Sequence, residues 1–97
     1  MDVEYDDKQL QRMAEDKDFP SSADPLVKSY RKRIQLIKNA PDERDFYALK
    51  SLHFEKLKGD RQHQYSMRLN EKWRLILELR GSAPNKKVAI IAIEDYH

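Results

Sequence analysis

The stretch Lys56–Arg80, KLKGDRQHQYSMRLNEKWRLILELR, constrains this chain more than any other. Along it Tyr65, Met67, Leu69, Trp73, Leu75, Leu77 and Leu79 fall on one parity. Ser66, Arg68, Asn70, Lys72, Arg74, Glu78 and Arg80 fall on the other, and only Glu71 and Ile76 break the alternation. A period of two over this length marks half-buried antiparallel strand. The run is too long for one ordinary strand, so it predicts a hairpin.

The polar cluster Asn70-Glu71-Lys72 supplies the turn. A two-residue loop would set Met67 opposite Arg74 and mix the faces. A three-residue loop pairs Leu69 with Trp73, Arg68 with Arg74, Met67 with Leu75 and Tyr65 with Leu77, with one loop residue left-handed. One face is then apolar throughout, and Tyr65 and Trp73 are expected in the core rather than as base-stacking platforms. The other face carries two arginines directly opposed, which is destabilising unless an anion neutralises them. Either the guanidinium groups splay into water, or the face binds phosphate. Pattern alone leaves both open.

A length of 97 residues fits one domain, 1–97, with a modest core. With no cysteine, disulfides and thiolate metal sites are excluded and a reducing compartment is expected. No apolar run reaches membrane-spanning length, and MDVEYDD is acidic where a secretory signal is basic, so a cytoplasmic location without membrane contact is expected. The net charge of +2 hides an asymmetry: residues 1–24 hold eight acids and three bases, and residues 25–97 nine acids and sixteen bases. A basic field on part of a small domain is the footprint of a nucleic-acid binder, though ordinary domains carry such patches too.

In chain order, Met1–Tyr5 is a candidate short strand. Asp6 or Asp7 can cap a helix carrying Leu10, Met13 and Ala14, and Asp24-Pro25 is a strong helix start. Leu26, Tyr30, Ile34 and Ile37 then form a core-facing stripe, with Lys28, Arg31, Lys32 and Lys38 read as a solvated face. Asp42 can cap a shorter helix, Glu43 to about Lys50, with Phe46 and Leu49 inward. Ser51–Leu57 is ambiguous, Gly59-Asp60 and Gly81–Asn85 are turns, and Lys87–Tyr96 is a strand, apolar on both parities from Val88 to Ile93 and hence interior. The order predicts an α+β sandwich, N-terminal helices on the apolar face of a small antiparallel sheet and the basic face left open.

The chain lacks glycine-rich phosphate loops, a nucleophile elbow and metal-ligand spacing; His53, His63 and His97 are too scattered to define a metal site. Asp95-Tyr96-His97 directly follow an apolar strand. They are a frayed polar tail or, since tyrosine and histidine can move protons, part of a site. KLKGDRQHQYSMRLNEKWRLI together with IAIEDYH closely resembles the HigB-type toxins of the RelE/ParE superfamily, through Leu57–Asp60, Arg68–Arg74 and Asp95–His97. The likeness is close over residues 55–97 and looser upstream, where the acidic stretch Glu15–Asp24 is longer than the family leads one to expect.

The resemblance implies a toxin that cuts mRNA in the ribosomal A site without metal or cofactor. It implies neutralisation by a HigA-type helix-turn-helix antitoxin, operator DNA being bound only through the complex. On that reading Arg68 and Arg74 hold the phosphate and Lys56, Lys58 and Arg61 extend the positive track. His97 leads as the proton-transfer group and Tyr96 is second. Asp95 orients a partner or acts on the nucleophile, and His63, then His53, are alternative acids. A ParE-like gyrase inhibitor and a non-catalytic RNA-binding protein are the competing readings.

Overall fold

A computed structural model describes residues 1–82 and 84–95; Tyr96 and His97 lie outside the described residues. Strand β1 (Asp2–Tyr5) leads into helix α1 (Lys8–Glu15). Asp7 is its cap, its carboxylate accepting the amides of Gln9 and Leu10 at 2.7 and 3.3 Å. Helix α2 (Pro25–Asn39) starts as expected, Asp24 accepting from the Leu26 amide at 2.8 Å with Pro25 in the first turn. Its buried stripe is Val27, Tyr30, Ile34 and Ile37; Leu26 is only partly covered, so the inward face begins one residue later than expected.

Arg31 is not part of a solvated face. Its guanidinium donates to the carbonyls of Met13 and Asp16 at 2.7 and 2.8 Å and reaches Ser22 Oγ at 3.3 Å. It thus ties the end of α1 and the acidic loop to α2. Tyr30 adds a buried bond from its hydroxyl to the Leu10 carbonyl, 2.8 Å.

Helix α3 (Arg44–Ala48) is shorter than expected. Asp42 accepts from the Arg44 amide, Glu43 makes no capping bond, and the helix ends before Leu49, whose side chain is exposed rather than inward. Phe46 is fully buried and meets Phe54 edge-on, and Phe54 stacks on Tyr65 at 5.1 Å. The ambiguous segment resolves into a 3-10 turn at Lys50–Leu52 and a two-residue edge strand, β2 (Glu55–Lys56).

Strands β3 (Tyr65–Arg68), β4 (Trp73–Arg80) and β5 (Lys87–Asp95) complete a five-stranded sheet ordered β1-β5-β4-β3-β2, antiparallel except for β1 beside β5. The fold is α+β, with β5 interior between β1 and β4. The hairpin register is the expected one: Tyr65 opposite Leu77, Met67 opposite Leu75, Arg68 opposite Arg74. Its turn is made differently. None of Asn70, Glu71 and Lys72 is left-handed. Asn70 Oδ1 instead accepts the amides of Lys72 and Trp73, both at 2.8 Å, so the side chain closes the turn without a positive φ. Met67, Leu69, Leu75, Leu77, Val88 and Ile90 form the core with Tyr30, Ile34 and Ile37 of α2; Tyr65 and Trp73 pack at its margin.

Candidate nucleic-acid interface

The sheet face away from the helices carries the candidate site, and its composition follows from register. Arg68 on β3 pairs with Arg74 on β4, and Arg74 pairs with Glu94 on β5. The three side chains make one row across three strands. One of the opposed arginines, Arg74, therefore has an anion from within the chain beside it, which eases their juxtaposition.

A β-bulge decides which anion. Arg80 pairs with Lys87 and Leu77 with Ile90, but Ile76 pairs with Ala92, leaving Ile91 as an extra residue. Without the extra residue Asp95 would share the face with the arginines. With it Glu94 does, and Asp95 lies opposite Trp73 on the helix-covered side, where its Oδ1 is buried with no hydrogen-bond partner among the described residues. Glu94 is the residue that sequence reasoning missed. The apolar run of β5 conceals the bulge, since Ile91, Ala92 and Ile93 suit either parity.

Arg61 completes the cluster from the loop between β2 and β3. Gly59, at φ 68°, begins a 3-10 turn over Gly59–Arg61. The Arg61 guanidinium then spans the face to β5 and grips Glu94 with both amino groups, 2.9 and 2.7 Å, while its Nε–H bonds Gln64 Oε1 at 3.0 Å. On the same face Ser66 and Ile76 are fully buried although they belong to the outer parity. The face is thus partly roofed, not fully open. Hydrogen bonds from Arg61, with its charge and that of Arg74 adding, hold the Glu94 carboxyl below the usual glutamate range; Glu94 in turn raises Arg61. Arg74 stands 3.7 Å from the same carboxylate.

The remaining cations divide. Arg68 donates Nε–H to the Asn70 carbonyl at 3.2 Å, and no acidic side chain holds it among the described residues. Lys58 is exposed in the loop; Lys56 is exposed on edge strand β2, opposite Tyr65 and so on the helix-side parity. His63 is 63% exposed with Nε2 3.7 Å from Glu78, and His53 is exposed in a left-handed turn (φ 47°) before β2. At the other end of β4 Arg80 is bound by Asp6, Glu78 and Glu4 at 2.8–3.0 Å, which removes it from any anion-binding role. Positive charge is therefore concentrated at the hairpin end, around Arg61, Arg68 and Arg74. A cleft of about 350 Å³ between Met1, Pro41, Glu43 and Lys86 lies at the opposite end of β5; it contains none of the arginine row, which is a surface and not a pocket.

The structure brings together Arg61, Arg68 and Arg74, with His63 nearby through Glu78. It leaves Lys56 and Asp95 on the other parity. The expected proton-transfer residues Tyr96 and His97 lie outside the described residues.

Comparison with known proteins gives one family match and a set of fold neighbours. The family described as "RelE-like toxin of type II toxin-antitoxin system HigB" matches residues 3–97. No curated protein matches the chain significantly. Among solved structures, a YoeB/ParE toxin from Agrobacterium tumefaciens aligns over 100% of both chains at 14% identity and TM-score 0.64. YafQ from E. coli strain BL21(DE3) aligns over 97% of this chain and 91% of its own at 13% identity and TM-score 0.61. The YoeB-YefM complex from Staphylococcus aureus aligns over 100% of this chain and 97% of its own at 21% identity and TM-score 0.62. At these identities the likeness is one of fold.

Proposed function

We propose, from the premise that this chain belongs to the RelE-like toxins of type II toxin–antitoxin systems, HigB family, that it is an endoribonuclease cutting mRNA on the translating ribosome. The observation that carries the reading is the row of Arg68 and Arg74, joined by Arg61, on the sheet face away from the helices. Planar guanidinium forks match the geometry and charge of a phosphodiester.

RNA supplies its own nucleophile. The 2′-oxygen attacks the adjacent phosphorus, the bond to the 5′-oxygen breaks, and a 2′,3′-cyclic phosphate and a 5′-hydroxyl result. One group takes the 2′ proton and another gives a proton to the leaving oxygen. Arg68 and Arg74 stabilise the charge that builds on the phosphoryl oxygens. His97 is the leading proton-transfer group, with Tyr96 beside it. Asp95, placed by the bulge on the far parity, acts through orientation rather than on the phosphate. His63 is the reserve acid, with His53 behind it, and Lys56 and Lys58 extend electrostatic contact to RNA and ribosome.

The partner is a HigA-type helix-turn-helix antitoxin in the cytoplasm, the operator being reached through the complex. A structural neighbour solved as the YoeB-YefM complex supports a protein partner for this fold. The test is translation of a defined mRNA by purified ribosomes with the protein present. Cleavage in the coding region only when ribosomes translate is expected. An intact message with protein synthesis still arrested would refute the nuclease. His97→Gln should reduce cleavage sharply, and unchanged cleavage would remove His97 from the mechanism.

A further inference from the structure

We infer that Glu94 is a resident anion of the arginine cluster, and that the phosphate of a bound strand displaces it from Arg61. The inference rests on the nuclease reading and adds to it a residue and an exchange of partners. Glu94 lies in register with Arg74, one strand beyond Arg68. Its carboxylate takes both amino groups of Arg61 at 2.9 and 2.7 Å and lies 3.7 Å from Arg74. It thus sits at the place in the row where a phosphate would collect the same donors.

A carboxylate and a phosphate present matching oxygen pairs to a guanidinium fork, so the exchange conserves Arg61's hydrogen bonds. The pair is accessible, with side chains 40% and 34% exposed, so an incoming phosphate can reach it and solvent screens its attraction. Arg61 comes from a short loop entered through Gly59, so it can follow an incoming strand without disturbing the sheet. In the resting cluster three arginines face one carboxylate. Displacing it makes the third arginine available to RNA.

The experiment measures binding of a single-stranded 2′-O-methyl oligoribonucleotide, which lacks the attacking hydroxyl, as a function of salt. Glu94→Gln should tighten binding severalfold at low salt, since no carboxylate then competes with the phosphate for Arg61, while the slope of log K on log salt, set by phosphate contacts that both proteins make, stays nearly the same. Glu55→Gln is the control for charge alone. Glu55 is exposed, pairs with Ser66 and holds no arginine among the described residues. Equal effects of the two substitutions, or weaker binding by Glu94→Gln, overturn the inference. Arg68→Ala separates the two levels. If it weakens binding while Glu94→Gln matches Glu55→Gln, only the role of Glu94 fails. If neither Arg68→Ala nor Glu94→Gln alters binding, or the unaltered protein does not bind at low salt, the nuclease face fails with it. A second measurement needs no variant: the carbon-13 resonance of the Glu94 carboxyl, titrated with and without the oligonucleotide. Its pKa should rise toward the ordinary glutamate value on binding, and a value still depressed in the complex means that Arg61 never left.

Discussion

Arg68 and Arg74 oppose each other across the hairpin, yet they stand in different electrical surroundings. Arg74 is near Glu94, whereas Arg68 donates its Nε–H to the Asn70 carbonyl in the turn and has no acidic partner among the described residues. Arg68 is therefore the arginine most available to a phosphate. Arg68→Ala should slow single-turnover cleavage on the ribosome by about 10²–10³-fold, the usual cost of one transition-state donor, with little change in urea stability. Equal cleavage by the variant would move the phosphate site elsewhere. Tyr30 is the converse case, a polar residue used for structure. Burial, with the nearby Tyr5, Glu15 and Asp7, pushes its hydroxyl far above the usual tyrosine range, and it stays a neutral donor to the Leu10 carbonyl. Tyr30→Phe should cost about 0.5–1.5 kcal/mol by removing a buried hydrogen bond, read as a lower urea midpoint with cleavage retained at temperatures where the variant is folded.

The hairpin is the element that sets the arginines, and its turn depends on Asn70. Asn70→Ala removes the acceptor for the amides of Lys72 and Trp73 and should cost about 1 kcal/mol. Amide exchange at those two positions should quicken while that of Met67 changes less; unaltered exchange would mean that the backbone bonds of Leu69 and Asn70 to Trp73 suffice. The hairpin register was legible because Leu69, Trp73, Met67 and Leu75 allow one pairing that keeps an apolar face. The cap and stop of α2 were legible for the same local reason, in Asp24-Pro25 and Pro41. Leu49 and β2 were not, since a helix of five residues and a strand of two carry too little periodicity to read. Glu94 was hidden by a tertiary feature, the bulge at Ile91, within a run whose side chains fit both faces. The arginine pair of the candidate site was legible as a register; the acid beside it was not.

At the scale of the whole molecule, two clusters of charge fasten elements of the sheet to one another. Arg80 with Asp6, Glu4 and Glu78 fastens β1 to β4, and Arg61 with Glu94 fastens the β2–β3 loop to β5. The acids with depressed pKa in these two clusters, Asp6 chiefly through its hydrogen bonds from Arg80 and Glu94 chiefly through those from Arg61, bind fewer protons folded than unfolded. Their contribution to stability is present above the ordinary carboxylate pKa values and is lost as pH falls from there through the depressed ones. Unfolding midpoints measured down this range should fall, and fall less steeply in Asp6→Asn and Glu94→Gln; parallel curves would place the acid sensitivity elsewhere. The arrangement concentrates uncompensated positive charge at the hairpin end of the outer face, while the acidic segment 1–24 lies with the helices and β1. That polarity fits a protein that presents one face to RNA. The most direct measurement follows a defined mRNA through translation with the wild-type protein and with the Arg68→Ala, Arg74→Ala double variant, alongside a gyrase supercoiling assay of the same preparations. Ribosome-dependent cutting by the wild type alone, with supercoiling unaffected by either, is the predicted result. An intact message together with inhibited supercoiling would contradict it.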